Sequence, residues 1–317
     1  MKAVRFHAFG GPEVLRYEDV EQPTPGPGHV RIRVAATSVN DIDTCIRSGG
    51  LPGRRPVRLP HVPGVDVAGT VDALGHGVDA VAVGDRVTGL LPFSAAGAAA
   101  ELVIAPAVLL AGTPTRLALP DLAALPLVGL TAWQALFDHG HLTTGQRVLV
   151  HGADGAVGGC AVQLAREAGA RVVATACPGS AARVEAAGAD EVIDTTLTDV
   201  AEVGEPVDLV LNLAPVPRQQ LTALLSLIRD GGALVNAAVT TAAGTPAPCD
   251  EERGVRGIDL LVRSDSDQLA DLVARVSTGE LVVDVAQRVA LADLPAVHAR
   301  AGAGELPGKV VVLVSSA

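Results

Sequence analysis

The chain has 317 residues, which is long for a single hydrophobic core and predicts two domains. Apolar residues make up 49% of the chain but aromatic residues only 2%, so the interior must be built from aliphatic side chains. The formal net charge of −11 argues against nucleic-acid binding, because an acidic surface repels a phosphate backbone.

Four cysteines are spread along the chain without a CxxC pair: Cys45, Cys160, Cys177 and Cys249. Cysteine-rich zinc sites need clustered thiols, and scattered cysteines are typical of reduced, intracellular proteins. The N-terminal residues lack the apolar stretch of a signal peptide, and no uncharged apolar run reaches the roughly 18 residues that span a bilayer. We therefore expect a cytoplasmic protein that is not inserted in a membrane.

Residues 1–120 have the pattern of a mostly β domain. Alternating or apolar runs predict strands at 30–34, 65–74 and 85–89, and a short helical period covers 41–47. The tail from 282 to 314 returns to β character, so residues 280–317 are expected to complete this first domain.

Strands and helices alternate after Pro120, which predicts an α/β domain over 121–279. The predicted strands are 147–151, 171–176, 207–213, 233–238 and 257–262. The predicted helices are 121–127, 131–137, 156–168, 180–187, 219–229 and 267–277. This order favours a doubly wound parallel sheet with right-handed connections.

A glycine-rich segment, RVLVHGADGAVGGC, joins the first strand of this domain to its helix. Gly152, Gly155 and Gly158 follow a G-x-x-G-x-x-G spacing, one residue different from the usual dinucleotide fingerprint. Glycines allow the backbone to approach a pyrophosphate, whose charge the helix N-terminus favours. The alternative is a tight strand-to-helix turn in an unrelated α/β fold.

The residues after the second strand favour NADP over NAD. An NAD site places an acidic residue about 20 positions after the glycine loop, yet residues 168–184 contain no Asp or Glu. Ser180 and Arg183 are present instead, and hydroxyl and guanidinium groups can bind a 2′-phosphate. Alternatively, Arg183 is only a solvated helix residue.

The chain resembles the zinc-independent quinone oxidoreductase (zeta-crystallin-like) family of the medium-chain dehydrogenase/reductase superfamily over nearly its whole length. The resemblance rests on the glycine loop and on the segments AATSVNDIDTCIRSGG, PGVDVAG, VGDRV, LPLVGLTAWQAL, GADEVID and PGKVVVLV. It implies a GroES-like catalytic domain, a Rossmann domain and bound NADPH. Zinc-dependent relatives hold their metal through Cys and His at the positions of Asn40 and Val65, so the resemblance implies no metal.

The resemblance also implies site residues. Asn40 would lie beside the nicotinamide and donate to a carbonyl oxygen or orient the cofactor, although it could equally stabilise a turn. The implied cofactor-binding residues are Thr131, Gly152, Ala153, Gly155, Ala156, Val157, Gly158, Cys177, Ser180, Arg183, Asn212, Ala214, Ala238 and Val239.

Two positions depart from the family pattern. Many quinone reductases have Tyr where this chain has Cys45, whose thiol is a hydrogen-bond donor, a nucleophile or simply a small pocket-wall residue. The family often has Ser followed by Lys or Asn where this chain has Cys177 and Ser180, which weakens the expectation of NADP specificity.

The expected activity is hydride transfer from NADPH to a quinone or an α,β-unsaturated carbonyl compound. Two alternatives are an enoyl or enone reductase of specialised metabolism and a non-catalytic, crystallin-like NADPH-binding protein. The expected partner is a small-molecule substrate. We also expect a homodimer, because oligomers are common in this family and the apolar segment 257–262 is predicted to lie at a sheet edge, where it could pair with its copy.

Overall fold

A computed structural model describes residues 1–50, 57–194, 204–238 and 247–314. The chain forms two compact units, Met1–Leu127 with Arg263–Ala317, and Val128–Val262. The first boundary lies a few residues after the predicted position 120. The second lies before the predicted position 279, so the helix expected at 267–277 belongs to the first unit. Among the described residues, no helix is both long and apolar enough to cross a bilayer.

The first unit is mostly β, as its sequence predicts. Its strands are β1 (Lys2–Phe6), β2 (Leu15–Asp19), β3 (His29–Ser38), β4 (Asp66–Leu74), β5 (Arg86–Leu90), β6 (Leu102–Pro106), β7 (Leu110–Gly112), β14 (Val285–Ala290) and β15 (Lys309–Leu313). A seven-stranded sheet has the order β14-β15-β3-β4-β5-β7, with β6 also paired to β3, and β1 pairs with β2 separately. The tail therefore completes the first unit by placing β15 directly beside β3.

The helices of the first unit are α1 (Asp41–Ser48), α6 (Ser266–Thr278) and α7 (Leu294–Gly302), with 3₁₀ turns at Pro12–Val14, Ala107–Leu109, Leu119–Ala124 and Leu291–Asp293. The tail was expected to be β, so α7 corrects that prediction. Pro295 lies in the first turn of α7, where proline is tolerated, and Leu294, Val297 and His298 are buried on one face.

The second unit contains the predicted parallel sheet. Its strands are β8 (Arg147–His151), β9 (Arg171–Ala176), β10 (Glu191–Asp194), β11 (Val207–Asn212), β12 (Ile228–Asn236) and β13 (Arg256–Asp259). All neighbouring strands are parallel, in the order β10-β9-β8-β11-β12-β13. The doubly wound topology is confirmed. Strand β13 lies at the edge, as expected for 257–262, and its pairing with a second copy stays a prediction.

The helices of the second unit are α2 (Pro126–Trp133, which begins in the first unit), α3 (Ala156–Glu167), α4 (Ala181–Ala187) and α5 (Arg218–Ser226), with a π-helical segment at Gln134–His139 and a 3₁₀ turn at Pro178–Ser180. Several predictions were wrong in extent. The strand expected at 233–238 spans Ile228–Asn236, and the helix expected at 121–127 is a 3₁₀ segment at Leu119–Ala124. The helix expected at 219–229 ends at Ser226, because Ile228 already starts a buried strand, and the strand expected at 257–262 ends at Asp259.

The core of the second unit is aliphatic. Strand β8 is buried at all five positions, and Leu149 packs in one cluster with Val210 of β11 and Leu234 of β12. Parallel strands covered on both faces favour such continuous apolar runs. The carboxyl ends of these strands are therefore held at one edge of a rigid sheet.

A buried Arg–His pair joins α1 to α7 in the first unit. The Arg47 Nη1 group lies 2.9 Å from Nδ1 of His298, and both side chains are buried. Because a guanidinium can only donate, Nδ1 must accept, which requires a neutral imidazole. Burial, and then the charge of Arg47, lower the pKa of His298 from its ordinary value to about 4.

We predict that acid destabilises the protein partly through His298. The folded-state pKa of about 4 lies below the ordinary value of 6.5, so the contribution to stability is present above pH 6.5 and is lost as the pH falls towards 4. Between pH 7 and pH 5, the wild type should lose about 2 kcal/mol more unfolding free energy than His298→Gln, which keeps an acceptor for Arg47. Urea titrations at both pH values measure this difference, and equal losses in both proteins would contradict it.

Candidate functional site

The glycine loop lies at the carboxyl end of β8 and leads into the N-terminus of α3. Gly152 has a φ of +87°, a conformation that favours glycine, and the helix begins at Ala156. Gly155 precedes the helix, and no side chain caps its first N–H groups. Uncapped N–H groups and the helix dipole favour an anion at this position.

Three glycines of this loop have different steric roles. A Cβ on Gly158 would lie 2.5 Å from Cα of Ala153, so only glycine lets α3 approach the loop this closely. A Cβ on Gly152 would lie 3.0 Å from the backbone N of Ala214, which follows β11. The nearest atom to a Cβ on Gly155 is 3.8 Å away, which leaves space beside the helix N-terminus. These residues fit the pyrophosphate of a dinucleotide.

Strand β9 fixes the start of the loop through Thr175, which the sequence analysis did not identify. The Gly152 N–H donates to Thr175 Oγ1 at 2.9 Å, and the Ala153 N–H donates to the Thr175 carbonyl oxygen at 2.9 Å. His151 Nδ1 also lies 2.9 Å from Thr175 Oγ1, and burial lowers the pKa of His151. The N–H groups of Gly152 and Ala153 are thus used within the protein, which leaves the first N–H groups of α3 as the candidates for binding an anion.

Cys177 and Ser180 lie at the 3₁₀ turn after β9, and Arg183 lies in the helix α4 that follows. The Ser180 hydroxyl donates to the Cys177 carbonyl oxygen at 3.0 Å, and Arg183 Nη2 donates to the Asp154 carbonyl oxygen at 2.7 Å. The Asp154 carboxylate hydrogen-bonds with the exposed Cys177 thiol and raises its pKa. The glycine loop therefore brings an acidic residue close to the end of β9, although residues 168–184 themselves contain none.

The ends of β11, β12 and β13 carry a ladder of polar side chains. Asn212 Nδ2 donates to Asn236 Oδ1 at 2.8 Å and to the Ala214 carbonyl oxygen at 3.0 Å, and Asn236 Nδ2 donates to Asp259 Oδ1 at 2.8 Å. Asn212 Oδ1 is buried and has no hydrogen-bond partner in the described part of the chain. Asn236 was missed, although strand register places it directly beside Asn212.

The structure describes all but one of the remaining residues that were predicted to bind the cofactor. Thr131 is buried within α2, and Ala238 follows β12 and is partly buried. Ala156 and Val157 form the first turn of α3. Val239 lies outside the described residues.

Asn40 lies in the first unit, between β3 and α1, at the first helix's N-terminus. Its backbone N–H donates to Asp43 Oδ2 at 3.0 Å, and the Gly64 N–H donates to Asp43 Oδ1 at 3.0 Å. Burial raises the pKa of Asp43 to about 7, with the nearby Asp66 carboxylate adding to the rise and these two hydrogen bonds opposing it. Asp43 thus holds the backbone at the start of α1 in place.

The Asn40 side chain belongs to a buried polar network. Its Nδ2 donates to Asp66 Oδ2 at 2.9 Å, and its Oδ1 accepts a hydrogen bond from the Lys309 ammonium. Asp66 Oδ2 also accepts from the Ser38 hydroxyl at 2.5 Å, while Asp66 Oδ1 accepts from the Leu127 N–H at 2.8 Å. Sequence reasoning missed Ser38, Asp66 and Lys309, although Lys309 is one of only two lysines in the chain.

The neighbours of Asn40 do not fit a zinc ion. Val65, at the position of a histidine ligand in zinc-dependent relatives, is apolar and buried, and the Asn40 amide is already paired with Asp66 and Lys309. Among the described residues, no cluster of three His, Cys, Asp or Glu side chains has the arrangement of a metal site.

Cys45 lies in α1 and is half-buried. Burial raises the pKa of its thiol, and the nearby Asp41 carboxylate adds to the rise. The thiol is therefore protonated near neutral pH, which disfavours a nucleophilic role and leaves it as a weak donor or a pocket-wall residue.

Comparisons with known proteins agree with this architecture. Residues 26–115 match the family described as alcohol dehydrogenase GroES-like domain, and residues 187–312 match the family described as zinc-binding dehydrogenase. The chain is 30% identical to a chloroplastic quinone oxidoreductase of Triphysaria versicolor over 98% of each protein.

Two solved structures are similar over almost the whole chain. An NAD-dependent alcohol dehydrogenase superposes with a TM-score of 0.88 and 31% identity, covering 99% of this chain and 100% of that protein. A mycobacterial protein solved in complex with NADPH superposes with a TM-score of 0.83 and 33% identity, again covering 99% of this chain and 100% of the other.

The two-unit fold, with a GroES-like first unit and a Rossmann-type second unit, defines an oxidoreductase of the medium-chain dehydrogenase/reductase superfamily. Within that superfamily, the chain belongs to the quinone oxidoreductase family. The fold class and family expected from the sequence are confirmed.

We predict that Gly158→Ala weakens dinucleotide binding about 5- to 150-fold. The new Cβ would contact the Ala153 backbone, so the loop must move away from the N-terminus of α3, at a cost of about 1–3 kcal/mol. Calorimetric titration with the reduced dinucleotides measures the effect. Gly159→Ala is the matched control: a Cβ there meets nothing within 4 Å, so binding should be unchanged. Equal affinities of the two variants would show that the loop does not hold the cofactor.

Proposed function

We propose that this oxidoreductase uses NADPH to reduce a quinone or an α,β-unsaturated carbonyl compound without a catalytic zinc. The observation that carries the proposal is the meeting of the loops after β8 and β11, where Gly152 packs against Ala214. Strand order reverses between β8 and β11, and doubly wound sheets bind dinucleotides at this switch point.

The choice of NADPH rests on the residues after β9. Arg183 lies close to the glycine loop through its hydrogen bond to the Asp154 carbonyl oxygen, and a guanidinium is the side chain best suited to a 2′-phosphate. The mycobacterial relative complexed with NADPH supports the same cofactor. When bound, the reduced nicotinamide supplies a hydride to the acceptor.

The protein's own residues bind and orient the reactants. The N-terminus of α3 holds the pyrophosphate. At the carboxyl edge of the sheet, the Asn212–Asn236 ladder presents a buried carbonyl oxygen, Asn212 Oδ1, that has no partner among the described residues. In the first unit, Asn40 is the candidate hydrogen-bond donor to the oxygen of the acceptor. Solvent or the protonated Cys45 thiol would return a proton to that oxygen.

The central experiment is a titration of the folded protein with NADPH and NADH, followed by assays of NADPH oxidation with a panel of quinones, enones and enoyl thioesters. We expect tighter binding of NADPH, turnover with at least one acceptor class, and activity that survives treatment with a metal chelator. Absence of binding by either nucleotide would contradict the proposal. Tight binding without turnover across the panel would instead support the non-catalytic alternative.

The preference for NADPH should be moderate, because Asp154 lies in the same cluster as Arg183. Its carboxylate hydrogen-bonds with the Cys177 thiol at the end of β9, the strand end at which such folds place the adenosine ribose. A negative charge there repels a 2′-phosphate and accepts from a free 2′-hydroxyl. Arg183 thus favours NADPH, and Asp154 favours NADH.

We predict that Asp154→Asn increases the ratio of NADPH to NADH affinity about fivefold, since removing a partly exposed like charge is worth about 1 kcal/mol. Arg183→Ala should lower NADPH affinity about tenfold and change NADH affinity little. Dissociation constants for both nucleotides check this. Arg218, at the start of α5, provides a matched control as Arg218→Ala, which should change neither constant. An unchanged ratio in both Asp154→Asn and Arg183→Ala would place the 2′-phosphate elsewhere.

A further inference from the structure

The Asn40 carboxamide is oriented by two charged side chains that the family resemblance did not identify. An ammonium can only donate, so the Lys309 contact fixes the position of Asn40 Oδ1. The Asp66 carboxylate accepts from Nδ2, which fixes the other end of the amide. The two contacts together allow only one of the two flipped orientations of the carboxamide.

The sheet topology explains why these residues meet. Lys309 is the first residue of β15, Asp66 is the first residue of β4, and Asn40 lies two residues after the end of β3. Strand β3 lies between the other two and runs antiparallel to both. The two strand starts and the β3 end therefore lie at the same edge of the sheet.

One N–H of the Asn40 amide remains available. Nδ2 lies 2.9 Å from Asp66 Oδ2 and 3.4 Å from Ser38 Oγ, and those two oxygen atoms are themselves only 2.5 Å apart. Seen from Nδ2, these distances place the two oxygens roughly 45° apart, whereas the two N–H bonds of an amide are about 120° apart. One N–H of Asn40 therefore donates to both oxygens, and the other N–H has no partner among the described residues.

The Lys309 ammonium is a fixed positive charge inside the protein. Its side chain is only 3% exposed, and its Nζ lies 3.5 Å from an oxygen of the fully buried Asp66. Burying two charges usually costs more than their attraction returns, so such a pair contributes little to stability compared with apolar residues. A positioning role accounts for the lysine better than a stabilising one.

We propose that Lys309 is a positioning residue that orients and polarises the Asn40 carboxamide, so that its second N–H donates to the oxygen of the reducible acceptor. This inference rests on the proposed reduction. A bound reduced nicotinamide would supply the hydride and would itself be oxidised, and the acceptor would take up that hydrogen with its electron pair, so that negative charge would accumulate on the acceptor oxygen. The Asn40 N–H stabilises that charge, and a proton from solvent then completes the reduction.

The kinetic test compares Lys309→Met with Lys2→Met, which replaces the chain's other lysine in its exposed pair with Asp19. We expect Lys309→Met to lower kcat about 100-fold, the scale of one lost oxyanion donor, with NADPH affinity within about twofold of wild type. Lys2→Met should match the wild type. A loss confined to KM or to cofactor binding would overturn the positioning role.

A double-mutant cycle tests whether Lys309 acts through Asn40. If it does, Asn40→Ala with Lys309→Met should have a kcat within about threefold of the slower single variant, because residues of one unit have non-additive effects. Multiplicative losses would overturn the proposal. A second double variant, Asp66→Asn with Lys309→Met, removes both buried charges. Neither charge is then left buried without its partner, so this variant controls for misfolding. That double variant should remain about 100-fold slow, whereas recovery of kcat would show that Lys309 only balances the charge of Asp66.

Nuclear magnetic resonance gives a readout that needs no turnover. With ¹⁵N-labelled lysine the chain has only two Nζ groups, so the buried one should give a slowly exchanging ammonium signal. That signal should vanish in Lys309→Met and shift in Asn40→Ala. No slowly exchanging signal, or no shift, would overturn the network even in an active enzyme. An inactive wild type with both effects would contradict the proposed function and leave the contact of Lys309 with Asn40 established.

Discussion

The buried carboxylate of Asp66 is the constraint on which the first unit's site depends. An unpaired charge in the interior is expensive, and here Ser38, Asn40 and the Leu127 N–H all donate to it, with the Lys309 ammonium close by. These donors come from the end of β3, the start of α2 and the start of β15. Satisfying one carboxylate therefore fixes four chain segments relative to one another, and the orientation of the Asn40 amide follows from that arrangement.

The second unit separates structural from ligand-binding backbone groups in the glycine loop. The N–H groups of Gly152 and Ala153 bond to Thr175, so β9 holds the loop whether or not an anion is present. In the described part of the chain, no side chain caps the N-terminus of α3, and a Cβ on Gly155 would make only one contact, at 3.8 Å. Because β9 already holds the loop, a phosphate bound at this N-terminus would not have to order the chain first.

Much of the second unit could be predicted because buried parallel strands are continuous apolar runs. The predicted bounds of β8 and β9 match the structure residue for residue. Helix α7 was missed because its nine residues carry only a short apolar period. Lys309 and Asp154 could not be assigned from sequence, since the partners of Lys309 lie more than 240 positions away and Asp154 reaches the end of β9 from a different loop. Local patterns predict elements, whereas these contacts depend on sheet order.

The strength of the group that stabilises the acceptor oxygen, a metal ion or an amide N–H, affects which acceptors an enzyme can reduce. A bound metal acts as a strong Lewis acid on a localised oxyanion, whereas one amide N–H is worth roughly 3–4 kcal/mol at a developing negative charge. In the proposed site, Asn40 polarised by Lys309 would be a donor of the weaker kind. Quinones and enones spread the incoming charge over a conjugated system, so they demand less stabilisation at the oxygen than an isolated carbonyl does. The proposed donor, an amide held by an ammonium, would therefore suit conjugated acceptors, which is the physical reason to propose them over simple aldehydes and ketones.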